Sequence, residues 1–321
     1  LICHTKVWID MHGTSFSRTA LFGALAVLVL LIGNITTTGA SGAAPRLAAA
    51  AALPTCNPLT VFNSGNFSVP THFSNQFYPL VPGTQFVLDG YANLGGGVLP
   101  HRIVFTVTDL TKVVNGVQTR VLWDTDTDGG ELVESELAFQ AQDNAGNVWV
   151  LGEYPEEYSG GQFTGAPYTW VSGLNGAVAG VLVPGNPQLG SPAFSEGISP
   201  TISFSDCGQV MATGSHICAQ GTCYDNVLTI NEWAPPDPAG GYQQKYYAPG
   251  VGNFQIGAMN DPQGETLVLT SVNHLDRKAL EQARNAALAL DQHGNQVSTV
   301  YSQTPHAVPD PVFFLPFVSV P

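Results

Sequence analysis

The sequence predicts a mainly β protein: a curved antiparallel meander sheet, an open cup or partial barrel, with one C-terminal α-helix. Three observations predict it. Charged residues make up only 11% of the 321 residues while Gly and Pro number 35 and 23, the composition of a chain built from strands and turns. Between Arg102 and Tyr158 the chain alternates apolar and polar residues in runs of about ten, divided by tight turn signals. Helical periodicity is convincing in one place, after Asp276.

Residues 1–10 precede the first Met, Met11, and read as upstream reading frame. Residues 11–43 have the form of a secretory signal: Arg18 gives a positive start, Thr19 to Gly33 an apolar run, and Thr38-Gly39-Ala40 or Ser41-Gly42-Ala43 small residues for cleavage. The apolar run is shorter than the roughly 20 residues a membrane span requires, so cleavage is expected rather than an anchor. The protein is therefore expected to be exported, periplasmic or extracellular. Residues 44–75 read as a leader into the domain, 76–295 as a single β-rich domain, and 296–321 as an apolar tail broken by Pro309, Pro311, Pro316 and Pro321.

Within the domain, Pro82-Gly83 precedes a short strand at Gln85 to Leu88. Arg102 to Val113 alternates, Asn115-Gly116 is a hairpin turn, and Gln118 to Asp126 alternates again. Asp128-Gly129-Gly130 turns the chain into Glu131 to Gln142, and Asn144 to Asn147 turns it into Val148 to Tyr158. Ser159 to Ser205 reads as long loops with short strands. Strand patterns resume at Ile202–Met211, Asp225–Trp233, Tyr242–Tyr247, Asn253–Ala258 and Glu265–Val272. In the helix Asp276 is the N-cap, Leu280, Ala283, Ala287 and Leu290 form the apolar face, and Gly294 is the expected stop.

The net charge of −14 disfavours nucleic acid and anionic membrane surfaces, and favours cations or a small neutral or apolar molecule as partner. From Val121 to Gln244 there is no Lys or Arg, yet Asp124, Asp126, Asp128, Glu131, Glu134, Glu136, Asp143, Glu153, Glu156 and Glu157 all fall there. Such a run either fans into water or surrounds a cation. Asp124-Thr-Asp126-Thr-Asp128-Gly129 reproduces the first half of an EF-hand loop, but the twelfth position is Ser135 and the flanks are strands. A divalent cation, calcium first, is expected on Asp124, Asp126, Asp128, Glu134 and Glu136.

Alternation places His101 on the face of Ile103, Phe105 and Val107, and Glu153 on the face of Trp149 and Leu151. His101, Glu136 and Glu153 are thus expected to converge inside the curved sheet, where apolar walls suit acid–base work or metal ligation. Glu156 and Glu131 read as solvated. Trp149, Trp170, Trp233, Tyr154, Tyr158 and Tyr168 read as core in preference to a sugar-stacking surface. Cys218 and Cys223 are expected to form a disulfide in an oxidising compartment, which leaves Cys56 with Cys207, although four cysteines allow three connectivities. Zinc is the rival use of these cysteines, with His216 the nearest imidazole.

Several phrases resemble those of uncharacterised exported bacterial proteins: Phe105-Thr-Val-Thr-Asp-Leu-Thr-Lys112, Ala141-Gln-Asp-Asn-Ala-Gly-Asn-Val-Trp149, Gly152-Glu-Tyr-Pro-Glu-Glu-Tyr158, Cys223-Tyr-Asp-Asn-Val-Leu228 with Glu232-Trp233, and Lys245-Tyr-Tyr-Ala-Pro-Gly-Val-Gly-Asn253. The last also looks like the closing strands of small bacterial lipoprotein-type β domains that cup a ligand. The resemblance spans Phe77 to Asp291 and implies export and a curved antiparallel sheet, with no activity attached. Two functions follow from the residues. One is an exported metal-dependent hydrolase of an ester or phosphoester, with His101, Glu153 and Glu136 catalytic and the cation activating water. The other is a non-catalytic exported binding protein in which calcium braces the sheet.

Overall fold

The computed structural model describes residues 54–93, 97–261 and 264–311, so the upstream segment, the signal segment and the end of the tail lie outside the described residues. The strands are β1 (Thr84–Asn93), β2 (Val98–Val114), β3 (Val117–Asp128), β4 (Glu131–Gln142), β5 (Val148–Ser159), β6 (Gln162–Gly165), β7 (Trp170–Val171), β8 (Val178–Val183), β9 (Phe194–Ser199), β10 (Phe204–Ala219), β11 (Thr222–Trp233), β12 (Tyr242–Ala248), β13 (Gly252–Met259) and β14 (Thr266–His274). Helix α1 (Arg277–Val297) and a short strand β15 (Val308–Pro309) follow.

The strand order is β1-β14-β13-β12-β11-β10-β9-β8-β5-β4-β3-β2, and β2 pairs back onto β1. The sheet is therefore a closed barrel of 12 strands, not an open cup. Closure removes both sheet edges. Local alternation carries no information about it, because the closing partner of β1 is β14, with Thr84 opposite His274. Strands β6 and β7 add to β5, and β15 adds to β2.

Hairpins follow the turn chemistry. Asn115 and Gly116 both take positive φ, 47° and 79°, as a tight two-residue turn between β2 and β3 requires. Gly129 and Gly130 do the same between β3 and β4, at 57° and 90°. Strand β3 therefore runs through Asp128, and only the two glycines turn.

The apolar side chains form two layers. Leu88, Ile103, Phe105, Ile230, Ile256 and Leu267 share the interior face by register and are buried. Outside, α1 lies across β2 and β4. It buries Ala287 and Leu290, with Tyr301 between Phe139 and Tyr154. Buried ion pairs fix the helix: Lys112 Nζ is 2.9 Å from Asp291 Oδ1, and Arg284 bonds Asp109. Asp276 caps the helix by accepting from Ala279 N at 2.8 Å. Gly294 is not the stop. It lies within the helix, and a Cβ there would sit 2.8 Å from the rings of Tyr154 and Tyr301.

Residues 54–75, expected as a leader, are packed onto the barrel. Cys56 is bonded to Cys207, and Asn75 Nδ2 donates to the carbonyls of Gly146 and Pro184. The segment then crosses one barrel end. Tyr78 enters the interior, its ring 6.2 Å from that of Tyr247.

The long hairpin of β10 and β11 outruns the barrel and folds along its outer wall. Gln220 and Gly221 turn it, at φ 46° and 84°. Its inner face sets Ile217, Ala219, Tyr224 and Val227 against Phe254 and Tyr246, with the Tyr224 and Phe254 rings 4.2 Å apart. On β1, β2 and β14 the outward face carries a hydrogen-bonded cluster: Arg102 donates to Asp89, as does Thr270, both at 2.6 Å.

Candidate functional site

The acidic run builds a ladder inside the barrel. Asp124 stands opposite Glu136, Asp126 opposite Glu134 and Asp128 opposite Glu131. Like charges facing each other across a ladder repel. The same face carries Phe105 opposite Asp124 and Ile103 opposite Asp126, which makes it the interior face. On β5, Glu153 lies opposite Ala138 and so joins Glu136 on that face.

Glu153 reaches the interior by a different route from the one its alternation predicts. Gly152 pairs with Phe139 and Val150 with Gln140, so Leu151 is an extra residue and β5 changes parity. Trp149 consequently faces outward, against Phe62 and Phe67, while Glu153 faces inward. Gly152 is required at this bulge, since a Cβ would lie 2.7 Å from the Trp170 carbonyl oxygen.

Glu136 and Glu153 are 2% and 0% exposed. Burial, and then the charge of Glu153, push the Glu136 carboxyl well above the usual carboxylate range. Glu136 Oε2 has no hydrogen-bond partner. Glu153 Oε2 accepts from Trp170 Nε1 at 2.8 Å.

The opposite wall adds residues the sequence reasoning missed. Lys245, fully buried, pairs with Glu232. Glu196 is buried with both oxygens lacking hydrogen-bond partners, and burial, then Glu232, raise its pKa. Gly208 makes room for it, as a Cβ there would lie 2.2 Å from Glu196 Oε1. A signal is present for Glu232, which shares strand parity with Leu228 and Ile230, whereas Lys245 shares its parity with Gln243 and Tyr247 and has no apolar alternation to mark it.

His101 does not meet Glu136 and Glu153. It sits at the rim, opposite Asp128, whereas Glu136 lies opposite Asp124, four residues and roughly 13 Å further along β3. His101 Nδ1 is 2.6 Å from Asp128 Oδ1, and Nε2 is 3.1 Å from Glu265 Oε1, an ion contact without hydrogen-bond alignment. Burial opposes the charged ring, but the two carboxylates outweigh it and push the His101 pKa up to about 10. At neutral pH the ring is an imidazolium, a donor of protons and hydrogen bonds and not a general base.

Strand geometry spreads the proposed calcium ligands. Alternate strand residues lie roughly 6–7 Å apart, whereas an EF-hand loop curls them around one ion. Among the described residues, the one group of three ligand-type side chains whose atoms lie within 4.8 Å of one another is His216, Cys218 and Cys223. Those two cysteines are bonded to each other.

Beside the rim an open groove of about 390 Å³ runs between the barrel wall and the hairpin tip, lined by Asp89, Tyr91, His101, Arg102, Thr127 and Gln220. Tyr91 is 57% exposed there. The aromatic residues Trp149, Trp170, Trp233 and Tyr154 are buried, so they make no stacking surface. Glu156, expected to be solvated, is 1% exposed. Helix α1 covers it, and it accepts from Tyr158 and meets His293, each at 2.6 Å.

No family model and no curated protein matches the chain. Two solved structures do. One is a candidate lipoprotein from Parabacteroides distasonis, 15% identical, covering 62% of this chain and 99% of its own, at a TM-score of 0.36. The other is a candidate exported protein with a YmcC-like fold from Bacteroides fragilis, 14% identical, with the same coverage and a TM-score of 0.33. Scores this low carry no functional argument.

Proposed function

We propose that this is an exported binding barrel that takes a small neutral, hydroxyl-bearing molecule in the groove beside the His101 rim. The groove carries the proposal. It is lined by the exposed Tyr91, the hydrogen-bonded Arg102 and Asp89 pair and the rim residue His101, an aromatic ring next to charged, hydrogen-bonding groups. Export is supported by the signal pattern of residues 11–43 and by the two disulfides, which suit an oxidising compartment. The test is calorimetric titration of the full chain with a panel of neutral mono- and disaccharides. Binding should appear for part of the panel, and Tyr91→Ala should weaken it about tenfold, the scale of a lost stacking contact. Equal affinity in the variant, or no binding across the panel, would overturn the proposal.

A second reading has one specific observation in its favour. Glu136 Oε2 is buried without a hydrogen-bond partner beside Glu153, Asp124 and Glu134, as a cation's neighbour would be. A divalent cation, calcium first, held by Asp124, Asp126, Glu134 and Glu136, would neutralise the ladder, and Asp128 would stay with His101. Hydrolysis of an ester or phosphoester by water on that cation fits less well. Glu136 and Glu153 are buried, and His101 already carries its proton. Calcium should raise the melting temperature relative to chelator, and Asp126→Ala with Glu136→Gln should remove the difference. Overlaid melting curves for the unaltered protein would exclude the cation. Loss of aryl-ester turnover on chelation, without unfolding, would restore the hydrolase.

A further inference from the structure

The outer face of the β10–β11 hairpin carries two cross-strand pairs that neither the barrel nor the groove uses. Cys218 is directly opposite Cys223 and bonded to it. One step along, His216 Nδ1 lies 2.6 Å from Asp225 Oδ1, and its Nε2 lies 3.7 Å from Cys218 Sγ. All four side chains are exposed, with His216 and Asp225 at 63% and 79%.

We propose that Cys218–Cys223 is a thiol–disulfide exchange site, with His216, held by Asp225, positioned beside the leaving thiolate. Three features separate this bond from a structural clip. The loop it closes is four residues long, so it restrains the unfolded chain little. The hairpin is already held by its Gln220-Gly221 turn and by Tyr224 on Phe254, so opening the bond does not release the arm. The other disulfide is shielded, its Cys207 being 0% exposed.

The chemistry is asymmetric. A thiolate of an external dithiol attacks Cys223 Sγ. The bond between the two protein sulfurs breaks, and its electron pair leaves on Cys218 Sγ, beside the His216 ring. Protonated, that ring carries a charge opposite to the thiolate, and Asp225 holds it in place. The second thiol of the dithiol then attacks its own sulfur in the mixed disulfide and releases Cys223. The dithiol ends as a cyclic disulfide, and the protein gains two electrons and two protons as two thiols. By a separate route the reduced pair can reduce a substrate disulfide: the Cys218 thiolate attacks one substrate sulfur and the other leaves as a thiolate, then Cys223 attacks Cys218 Sγ in the mixed disulfide, which releases the second substrate thiolate and re-forms the Cys218–Cys223 bond.

The test uses the full chain with one cysteine of the pair replaced, Cys223→Ser or Cys218→Ser, and an aromatic disulfide as probe at pH 7. Cys218 should react about tenfold faster than Cys223, and adding His216→Ala should erase that advantage. In the unaltered protein, dithiothreitol followed by alkylation and peptide mapping should open Cys218–Cys223 while Cys56–Cys207 stays closed. Thermal melts of the variants should match the parent, since the altered side chains are exposed. Equal rates for the two cysteines, no effect of His216→Ala on Cys218, or simultaneous opening of both disulfides would overturn the assignment.

Discussion

Glu136 and His101 answer pH in related ways for different reasons. Glu136 has its pKa raised, chiefly by burial, so the folded state holds that proton more tightly than the unfolded chain. Its contribution is present at low pH and is lost as pH rises from the ordinary carboxyl range through the raised value. Glu136→Gln keeps the shape and removes the titration. The variant should melt higher than the parent at pH 8, by about 2 °C or more, with the gap narrowing at pH 5. A parent more stable than the variant at pH 8 without added metal would contradict this. His101 is also raised, from 6.5 to about 10, because Asp128 and Glu265 outweigh its burial. Its contribution is full below about pH 6.5 and disappears as pH rises through about 10. Urea titrations at pH 7 and pH 10 should show a larger loss for the parent than for His101→Gln.

At the scale of elements, Gly294 sets two effects against each other. Alanine in a helix is worth about 1 kcal/mol over glycine. The added methyl, however, meets the Tyr154 and Tyr301 rings at 2.8 Å, within a packed layer. Overpacking costs about 1–3 kcal/mol, so Gly294→Ala should be net destabilising in a urea melt despite its better propensity. The residue's place shows where local pattern stops being informative. Asp276, the apolar face of α1 and the Asn115-Gly116 turn follow rules a few residues wide, and all were legible. Gly294 looked like a helix stop because its true constraint comes from two rings far away in the chain. Glu153 needed the bulge at Leu151, which no period reveals. Glu156 needed the knowledge that a helix covers that outer face. His101 kept its face but not its expected neighbours, since its clamp comes from Glu265, distant in sequence.

For the molecule as a whole, the Cys56–Cys207 bond ties the first described segment to β10 across 151 residues. Restricting so long a loop in the unfolded chain stabilises the fold by about 2–5 kcal/mol. Replacing both residues by Ala should lower stability by that amount, whereas the Cys218→Ser, Cys223→Ser pair should change it far less. Chemical denaturation of both double variants would check the contrast.

The barrel's seam has a consequence for how the molecule is made. Strand β1 bonds on one side to its neighbour in sequence, β2, and on the other to β14, which is synthesised almost two hundred residues later. Until β14 arrives, β1 and every partial sheet present bare edges, which are templates for pairing with other chains. Contacts this distant also slow folding, because their loop entropy must be spent before any ladder forms. The neighbouring β13–β14 ladder has just two register pairs, Gln255 with Val268 and Ile256 with Leu267, so it offers little guidance. A nascent copy is therefore most vulnerable late, when nearly everything but the last strand is in place, and dilution or a chaperone that shields strand edges should raise its refolding yield more than a longer incubation would.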